Sequence, residues 1–394
     1  MILERWDDIN DATLIELCES NAPETISLDF KQQLYGSTPE DKAEFMKDVC
    51  ALANSEGGDL VFGIAEAKGA AGKLMPIVDP TADRAMRKLG QILDGSVEPR
   101  VPGLQWKQVT VEGGYALILR VPKSLIGPHR YVMNNLSRFP IRNGTHIADM
   151  SYDQLRDAFG RTSTLLDQAR SFRRLRLGVI PAGLWKPLPG DIPYLALHLI
   201  PIESMSGRSS MDVTEVNHRY NDLMGYRWGG AGRNFNLDGL LVWEGSTDKT
   251  VTRCAQAFRS GALEMVDAHV SSDHAGFKAI QGPMLACNVR ESLGKLLKSA
   301  KASGFLGSAV VGLALHRVTN YTLYMGQVFN MHGKYLPDRS DLILPEAWVE
   351  NIEGQDIDEL VKPLLDVIWQ SFGLESCGLY DETTGKWSPE RRFH

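Results

Sequence analysis

The sequence predicts an α/β protein of the α+β kind, arranged as two domains. Three observations carry this expectation. Short apolar runs with the two-residue period of strands are interspersed with segments whose apolar residues recur every three or four positions, as on one face of a helix. The 394 residues suit two or three domains rather than one. A basic stretch and then a Pro/Gly-rich one, over residues 165–190, separate two such mixed regions. The expected layout is a first domain over 1–164 with a mixed sheet and flanking helices, a connector over 165–190, and an accessory α/β domain over 191–394 that senses a trigger, binds a partner or completes an oligomer.

Taken in order, residues 11–20 read as a helix with Leu14, Ile15, Leu17 and Cys18 on one side. After the break at Asn21-Ala-Pro23, Ile26, Leu28 and Phe30 alternate with Ser27, Asp29 and Lys31. That is a half-buried strand with one apolar and one polar face. Thr38-Pro39-Glu40-Asp41 supplies an N-cap, a first-turn proline and a capping-box partner, and Ala43, Met46, Val49, Cys50 and Ala53 continue a helix. The turn Asn54-Ser-Glu-Gly57-Gly58-Asp59 ends it, with the glycines permitting the helix-to-strand reversal and Asn54 capping it. A strand over Leu60–Ile64 ends at Ala65-Glu66, and a Gly/Ala/Lys-rich loop follows. Next come a helix over 81–94 and strands over 104–111 and 115–122, joined by Glu112-Gly113-Gly114. Two short strands between Arg130 and Arg142 flank an Asn134-Asn135 turn, and a helix runs from Ser151 to about Phe159. The connector opens as a helix carrying Arg170, Arg173, Arg174 and Arg176, then becomes Pro181–Gly190. Beyond it, strands near 193–202, 238–244, 250–258, 309–318 and 341–349 accompany helices near 283–302 and 355–372.

Composition narrows the function classes. A net charge of −7 argues against a uniformly basic nucleic-acid coat but allows a local basic patch. The opening Met-Ile-Leu-Glu-Arg-Trp lacks the basic and apolar regions of a secretory leader, and no apolar run approaches a membrane span, so a cytoplasmic location without membrane contact is expected. The five cysteines include no C-x-x-C pair, which speaks against zinc and for reduced thiols. No G-x-x-x-x-G-K-[ST] exists, so ATP binding is not supported.

The chemistry concentrates near the N-terminus. Asp29 and Lys31, two apart on one strand, face the same way. A carboxylate beside an amine can hold a divalent metal and a phosphate oxygen, the pairing that metal-dependent nucleases use to neutralise charge at the scissile phosphate. The ordinary alternative is a solvated surface ion pair. Glu24 flanks the same strand, and Glu66 ends the next one. If the two strands pair, three carboxylates and a lysine make a hard-metal site suited to Mg²⁺ or Mn²⁺. Later, Arg142-Asn143-Gly144-Thr145 reads as a turn with a basic tip, either a plain loop or a phosphate contact. Lys123, His129, Arg130 and Arg138 lie close by in sequence and could extend a basic groove.

The series Glu24-x4-Asp29-Phe30-Lys31, then Ala53-Asn54-Ser55-Glu56-Gly57-Gly58-Asp59-Leu60-Val61-Phe62-Gly63-Ile64, then Phe139-Pro-Ile-Arg142-Asn-Gly144-Thr145 resembles the Schlafen AlbA_2 domain over roughly residues 15–160. The resemblance implies nucleic-acid binding. For the nuclease members of that family, bacterial ones included, it implies metal-dependent endonucleolytic cleavage of structured RNA, chiefly tRNA and rRNA, by three carboxylates. By motif these fall on Glu24, Asp29 and Glu66, with Lys31 stabilising the charged transition state and Arg142, Asn143, Thr145, Arg130 and Arg138 contacting the nucleic acid. The second acid is usually Glu and here is Asp29; the third is usually Asp and here is Glu66. The zinc site and second lobe of vertebrate members do not occur in this sequence, so a homo-oligomer is needed for a comparable two-lobed groove. The resulting expectation is a metal-dependent endoribonuclease acting on tRNA-like RNA, a stress or antiphage defence effector. The alternatives are a non-catalytic nucleic-acid-binding regulator, and an interaction or sensor protein whose C-terminal domain carries the activity.

Overall fold

The computed structural model describes residues 1–133, 136–182, 188–244, 250–274, 277–325, 336–381 and 383–388. The Asn134-Asn135 turn and residues 183–187 of the Pro/Gly-rich stretch lie outside them. The chain is α+β and divides into two compact units, Met1–Thr164 and Leu165–His394.

In the first unit, α1 (Asp11–Glu19) is followed by β1 (Leu28–Lys31), α2 (Pro39–Ala53) and β2 (Gly58–Phe62). The Thr38 hydroxyl accepts the Asp41 N–H and the Asp41 side chain accepts the Thr38 N–H, so α2 starts on a full capping box. β1 and β2 run parallel with Asp29 opposite Leu60 and Lys31 opposite Phe62, and α2 is the crossover between them. Then come β3 (Ile64–Glu66), β4 (Ala71–Leu74), α3 (Ala82–Ser96), β5 (Val97–Glu98), β6 (Gln105–Val111) and β7 (Gly114–Val121). β7 lies antiparallel to both β2 and β6, which gives a sheet in the order β1-β2-β7-β6. One sheet face, with Leu60, Phe62, Leu117 and Leu119, packs on Phe45 and Val49 of α2 and Leu89 of α3. The other face, with Leu28, Phe30, Val61 and Ile118, packs on Leu14 and the N-terminal Ile2 and Ile9. Small strands complete the unit: β8 (Arg130–Met133), β9 (Leu136–Arg138) and the hairpin of β10 (Pro140–Asn143) with β11 (His146–Asp149).

Two local readings change. β3 and β4 form a small antiparallel pair where a Gly/Ala/Lys-rich loop was expected, because main-chain pairing needs no side-chain alternation. The polar face of β1 is not solvated: Asp29 is 6% exposed. That face points toward α2, and ion pairs rather than water satisfy it.

The unit boundary falls within α4 (Tyr152–Val179), a single helix of 28 residues where the sequence suggested a short helix and then a connector. The arginine run in its later part is split: Arg170 and Arg174 are exposed, whereas Arg173 and Arg176 are drawn inward. Arg173 is buried over Gly312 and donates to the Leu313 and Leu344 carbonyls, and Arg176 pairs with the buried Glu264. Burial alone would raise the Glu264 carboxyl, but hydrogen bonds from Arg176 and His198 outweigh it and hold the pKa at about 2. The second unit is built on β12 (Tyr194–Pro201), β13 (Ala231–Phe235), β14 (Gly239–Glu244), β15 (Arg253–Phe258), β16 (Leu263–Asp267) and β17 (Ala309–His316). They pair antiparallel in the order β13-β14-β15-β16-β12-β17. The long helix Gly282–Ala302 and the helix Ile357–Ser371 supply Leu285, Leu293, Leu364 and Trp369 to its main core. Among the described residues no helix is long and apolar enough to cross a membrane.

The turn between α2 and β2 requires its glycines. Gly57 has φ +72°, and a Cβ there would lie 2.5 Å from the Lys123 backbone nitrogen and 2.7 Å from the Val121 carbonyl oxygen. Left-handed strain and a backbone collision together predict that Gly57→Ala costs about 2–4 kcal/mol. The measurement is the urea midpoint beside Gly144→Ala, whose Cβ meets open space; equal midpoints for Gly57→Ala and wild type would refute the assignment.

Candidate nucleic-acid interface

Asp29 occupies the centre of the site. Its Oδ1 lies 2.9 Å from Lys31 Nζ, and its Oδ2 accepts a hydrogen bond from Arg142 Nη2. Lys31 Nζ also lies 3.2 Å from Asp48 Oδ2 on α2, and the Tyr35 hydroxyl donates to that same oxygen at 2.5 Å. Four elements are thereby tied together: β1, the segment after it, α2 and β10. Burial by itself would lower the Lys31 amine, but the charges of Asp48 and Asp29 outweigh it and raise its pKa. Burial raises the Asp48 carboxyl, opposed by Lys31 and reinforced by Asp29. Burial and the Asp48 charge raise the Tyr35 phenol, which stays a neutral donor.

Arg142 differs from the exposed phosphate contact that the sequence suggested. It is 4% exposed, and its Nη1 donates to the Thr25 carbonyl at 3.3 Å. What holds it there is the Asn54-Ser55 pair. Asn54 Nδ2 donates to the His129 and Pro140 carbonyls at 2.8 and 2.9 Å, and its Oδ1 accepts the His129 N–H at 2.8 Å. Ser55 Oγ accepts the Arg142 N–H at 2.8 Å and donates to the Ala51 carbonyl at 2.7 Å. The motif read as a helix cap and turn is therefore also a latch that seats the Arg142 hairpin against Asp29. Asp59 of the same motif is fully buried; it binds Arg120 through both oxygens and accepts the Ile2 N–H. Sequence reading assigned it no role, although an acid after two glycines before a buried strand signals a needed partner.

The other expected acids lie near Asp29 with their own backbone partners. Glu24 Oε1 accepts the Phe30 N–H at 3.0 Å, and the Glu24 N–H donates to the Gly69 carbonyl at 2.8 Å. Glu66 Oε1 accepts the Gly69 N–H at 2.7 Å. Burial raises the Glu24 carboxyl, the Phe30 hydrogen bond opposes it, and the charges of Asp29 and then Glu66 add to the rise. The Glu24 carboxyl thus feels both other acids and lies within hydrogen-bonding reach of Asp29. Both Asp29 oxygens face cations, and among the described residues no three His, Cys, Asp or Glu side chains form a metal-holding group.

The expected basic groove is charge-neutralised. Arg130 pairs with Glu98, Arg138 with Asp149 and Lys123 with Glu56. His129 is fully buried, and burial lowers its pKa to about 4, against the Pro99 carbonyl that accepts from its ring. Asn143, Gly144 and Thr145 do form an exposed tip, with Gly144 at φ +67°. Cations that sequence reading missed, Lys42 on α2 with Arg84, Arg87 and Lys88 on α3, line a depression between those helices. Their signal was the spacing of 84, 87 and 88 on one helix face.

Residues 24–151 match the family model described as Schlafen, AlbA_2, which supports a nucleic-acid-related function. No curated protein matches the chain. Among solved structures, the crystal structure of the DIP2311 protein from Corynebacterium diphtheriae is similar at 20% identity over 37% of this chain, with a TM-score of 0.25. The chain spans only 28% of that protein. The solution structure of the N-terminal domain of a RecG-related protein from Nitrosomonas europaea is similar at 18% identity, over 36% of this chain and 92% of that one, with a TM-score of 0.27.

Two outcomes follow from the charge network. Removing one partner of a buried pair strands the other, so Arg142→Ala should cost about 3–5 kcal/mol. Asp29→Ala combined with Arg142→Ala should cost clearly less than the sum of the singles, as read in a double-mutant cycle by urea unfolding; simple additivity would show that the pair is not coupled. The raised Glu24 pKa has a defined sign. Above the ordinary glutamate value of 4.5, the folded state keeps a proton that the unfolded state has released. Stability therefore falls as pH rises from that value through the raised one, and Glu24→Gln should flatten the fall. Superimposable stability–pH profiles of variant and wild type would exclude this origin.

Proposed function

We propose, from the Schlafen AlbA_2 domain that residues 24–151 form, that this chain binds nucleic acid through its first unit without cutting it. The carrying observation is the double ion pairing of Asp29 by Lys31 and Arg142. A carboxylate neutralised on both oxygens is a fixed anchor for two cations rather than a free metal ligand. The Lys31 amine, 28% exposed in its side chain, stands at the open end of that network and can meet a phosphate. The Asn143-Gly144-Thr145 tip offers amide, hydroxyl and backbone N–H donors on the hairpin that carries Arg142. Structured, tRNA-like RNA is the ligand class that agrees with the domain.

One observation favours a second reading, a metal-dependent endoribonuclease. Glu24 is raised first by burial and then by Asp29, which it reaches by a side-chain hydrogen bond, and by Glu66, so three acids share one neighbourhood whose charged state an added cation would favour. A bound Mg²⁺ or Mn²⁺ would supply charge neutralisation at a scissile phosphate.

The two readings separate in one experiment: total tRNA with the purified chain, in Mn²⁺ and in EDTA, beside Glu24→Gln and Lys31→Ala. The expected result is RNA binding that persists in EDTA, intact RNA under both conditions, and affinity about three- to tenfold weaker in Lys31→Ala, the loss of one phosphate contact. It is read on protein whose unfolding midpoint shows it folded, because Lys31 also balances Asp29 and Asp48. Cleavage in Mn²⁺ that Glu24→Gln abolishes would replace binding with the nuclease reading, and absence of RNA binding would overturn both.

A further inference from the structure

The cations that the 123–142 region neutralises internally have counterparts elsewhere in the first unit. A depression of about 810 Å³ between α2 and α3 is lined by Lys42, Arg84, Arg87 and Lys88 and by no acidic residue. α3 explains the grouping. Ala82, Ala85, Leu89 and Leu93 form its buried face, so Arg84, Arg87, Lys88 and Gln91, at i, i+3, i+4 and i+7, share the outer one. Exposed basic residues on an amphipathic helix are commonplace as solubilising groups. Here their convergence on one concavity sets them apart, since Arg5, Lys68, Lys73 and Arg161 of this unit are likewise exposed without an ion pair among the described residues. Lys47, Arg120, Lys123, Arg130, Arg138 and Arg156 of this unit all have carboxylate partners. Lys42, Arg84 and Arg87 are exposed and make no ion pair among the described residues. Like charges three and four residues apart repel by a few tenths of a kcal/mol each, a cost that an anion in the trough would remove.

The trough also leads somewhere. A second depression, of about 510 Å³, shares Pro80 and Lys88 with it and is lined also by Gln32, Gln33 and Tyr35, from the segment that follows Lys31, and by one acid, Asp79. Lys88 Nζ donates to the Tyr35 carbonyl at 3.2 Å, while the Tyr35 hydroxyl reaches Asp48, the partner of Lys31. The two concavities therefore form one path from the outer face of α3 to the open end of β1. From Arg84 to Gln91 the helix rises about 10 Å, the span of a few consecutive phosphates of one strand.

We propose that this path is a backbone track for a single-stranded stretch of a structured RNA, in which Lys42, Arg84, Arg87 and Lys88 take consecutive phosphates and deliver the strand to Lys31. The track rests on the nucleic-acid reading given above and adds where and how the strand is held. It predicts sequence-tolerant, strongly salt-dependent binding, since phosphates carry charge but no base identity.

The test compares wild type, the triple variant Lys42→Ala/Arg84→Ala/Arg87→Ala, and Lys31→Ala. Fluorescence anisotropy with a labelled single-stranded RNA oligonucleotide is recorded over a salt series, with inorganic tripolyphosphate as a separate ligand. The three trough residues are exposed and alanine favours helix, so the triple variant should keep the wild-type thermal midpoint. Its affinity should drop at least about tenfold at low salt, and the slope of log K against log salt should shrink by about 2, one strand's worth for three lost contacts. Wild-type affinity and slope in the triple variant would overturn the track while leaving nucleic-acid binding at Lys31 standing. If wild type binds no RNA but binds tripolyphosphate, and the triple variant does not, the phosphate site is real and belongs to a free oligophosphate; the RNA reading then fails. Binding of neither ligand overturns both.

Discussion

A carboxylate taken out of water must find compensation on each exposed oxygen, and in the first unit that requirement falls on Asp29. One cation comes from its own strand, two residues on. The other comes from Arg142, 113 positions later in the chain. Meeting the second demand fixes the approach of the β10–β11 hairpin to β1, and the Asn54-Ser55 pair at the end of α2 carries out the positioning through backbone hydrogen bonds. The α2–β2 turn must then be tight enough to leave Asn54 and Ser55 facing that hairpin, which is why Gly57 stands against the Val121–Lys123 backbone. One buried charge thus accounts for the strand, the helix end, the turn and the hairpin together.

Local periodicity made much of this legible in the sequence. Thr38, Pro39 and Asp41 announced the start of α2, and the apolar positions of β2 and β7 announced the central strands. The α+β class follows from those elements. The alternation in β1 correctly separated Leu28 and Phe30 from Asp29 and Lys31, but alternation reports polarity and not solvent. Charges on that face stay buried because their partners arrive from α2 and β10, and no local pattern announces a partner more than a hundred residues away. The arginine run of α4 misleads for the same reason: Arg176 is buried against Glu264, 88 residues distant. His129 and Arg142 looked like groove residues by proximity in sequence, whereas the fold turns one into a neutral buried ring and the other into a core cation.

A chain with net charge −7 can still hold a polyanion, because field depends on local arrangement and distance more than on the total. The first unit separates its cations into two populations. Those around β8–β11 are cancelled by carboxylates within salt-bridge distance, so they contribute mainly to local structure. Those between α2 and α3 face a shared concavity with no acid in its lining. Within a Debye length of about 8 Å at physiological ionic strength, cations grouped in this way present a shared field to an approaching phosphate.

On the proposed reading, the difference between a binder and a nuclease in this fold reduces to the seating of one hairpin. A divalent ion that used Asp29 would have to share an oxygen with Lys31 or with Arg142, and a guanidinium cannot escape by losing its proton. Moving Arg142 aside means releasing its bond to Thr25 and the Ser55 latch on its backbone, or leaving an uncompensated buried charge at a cost of about 3–5 kcal/mol. That is enough to keep an unseated hairpin below about one molecule in a hundred unless a ligand prefers it. A phosphate strand that drew Asn143 and Thr145 outward would be such a ligand. On the proposed reading, the Asp29–Arg142 pair therefore sets the threshold between holding RNA and exposing a carboxylate to it.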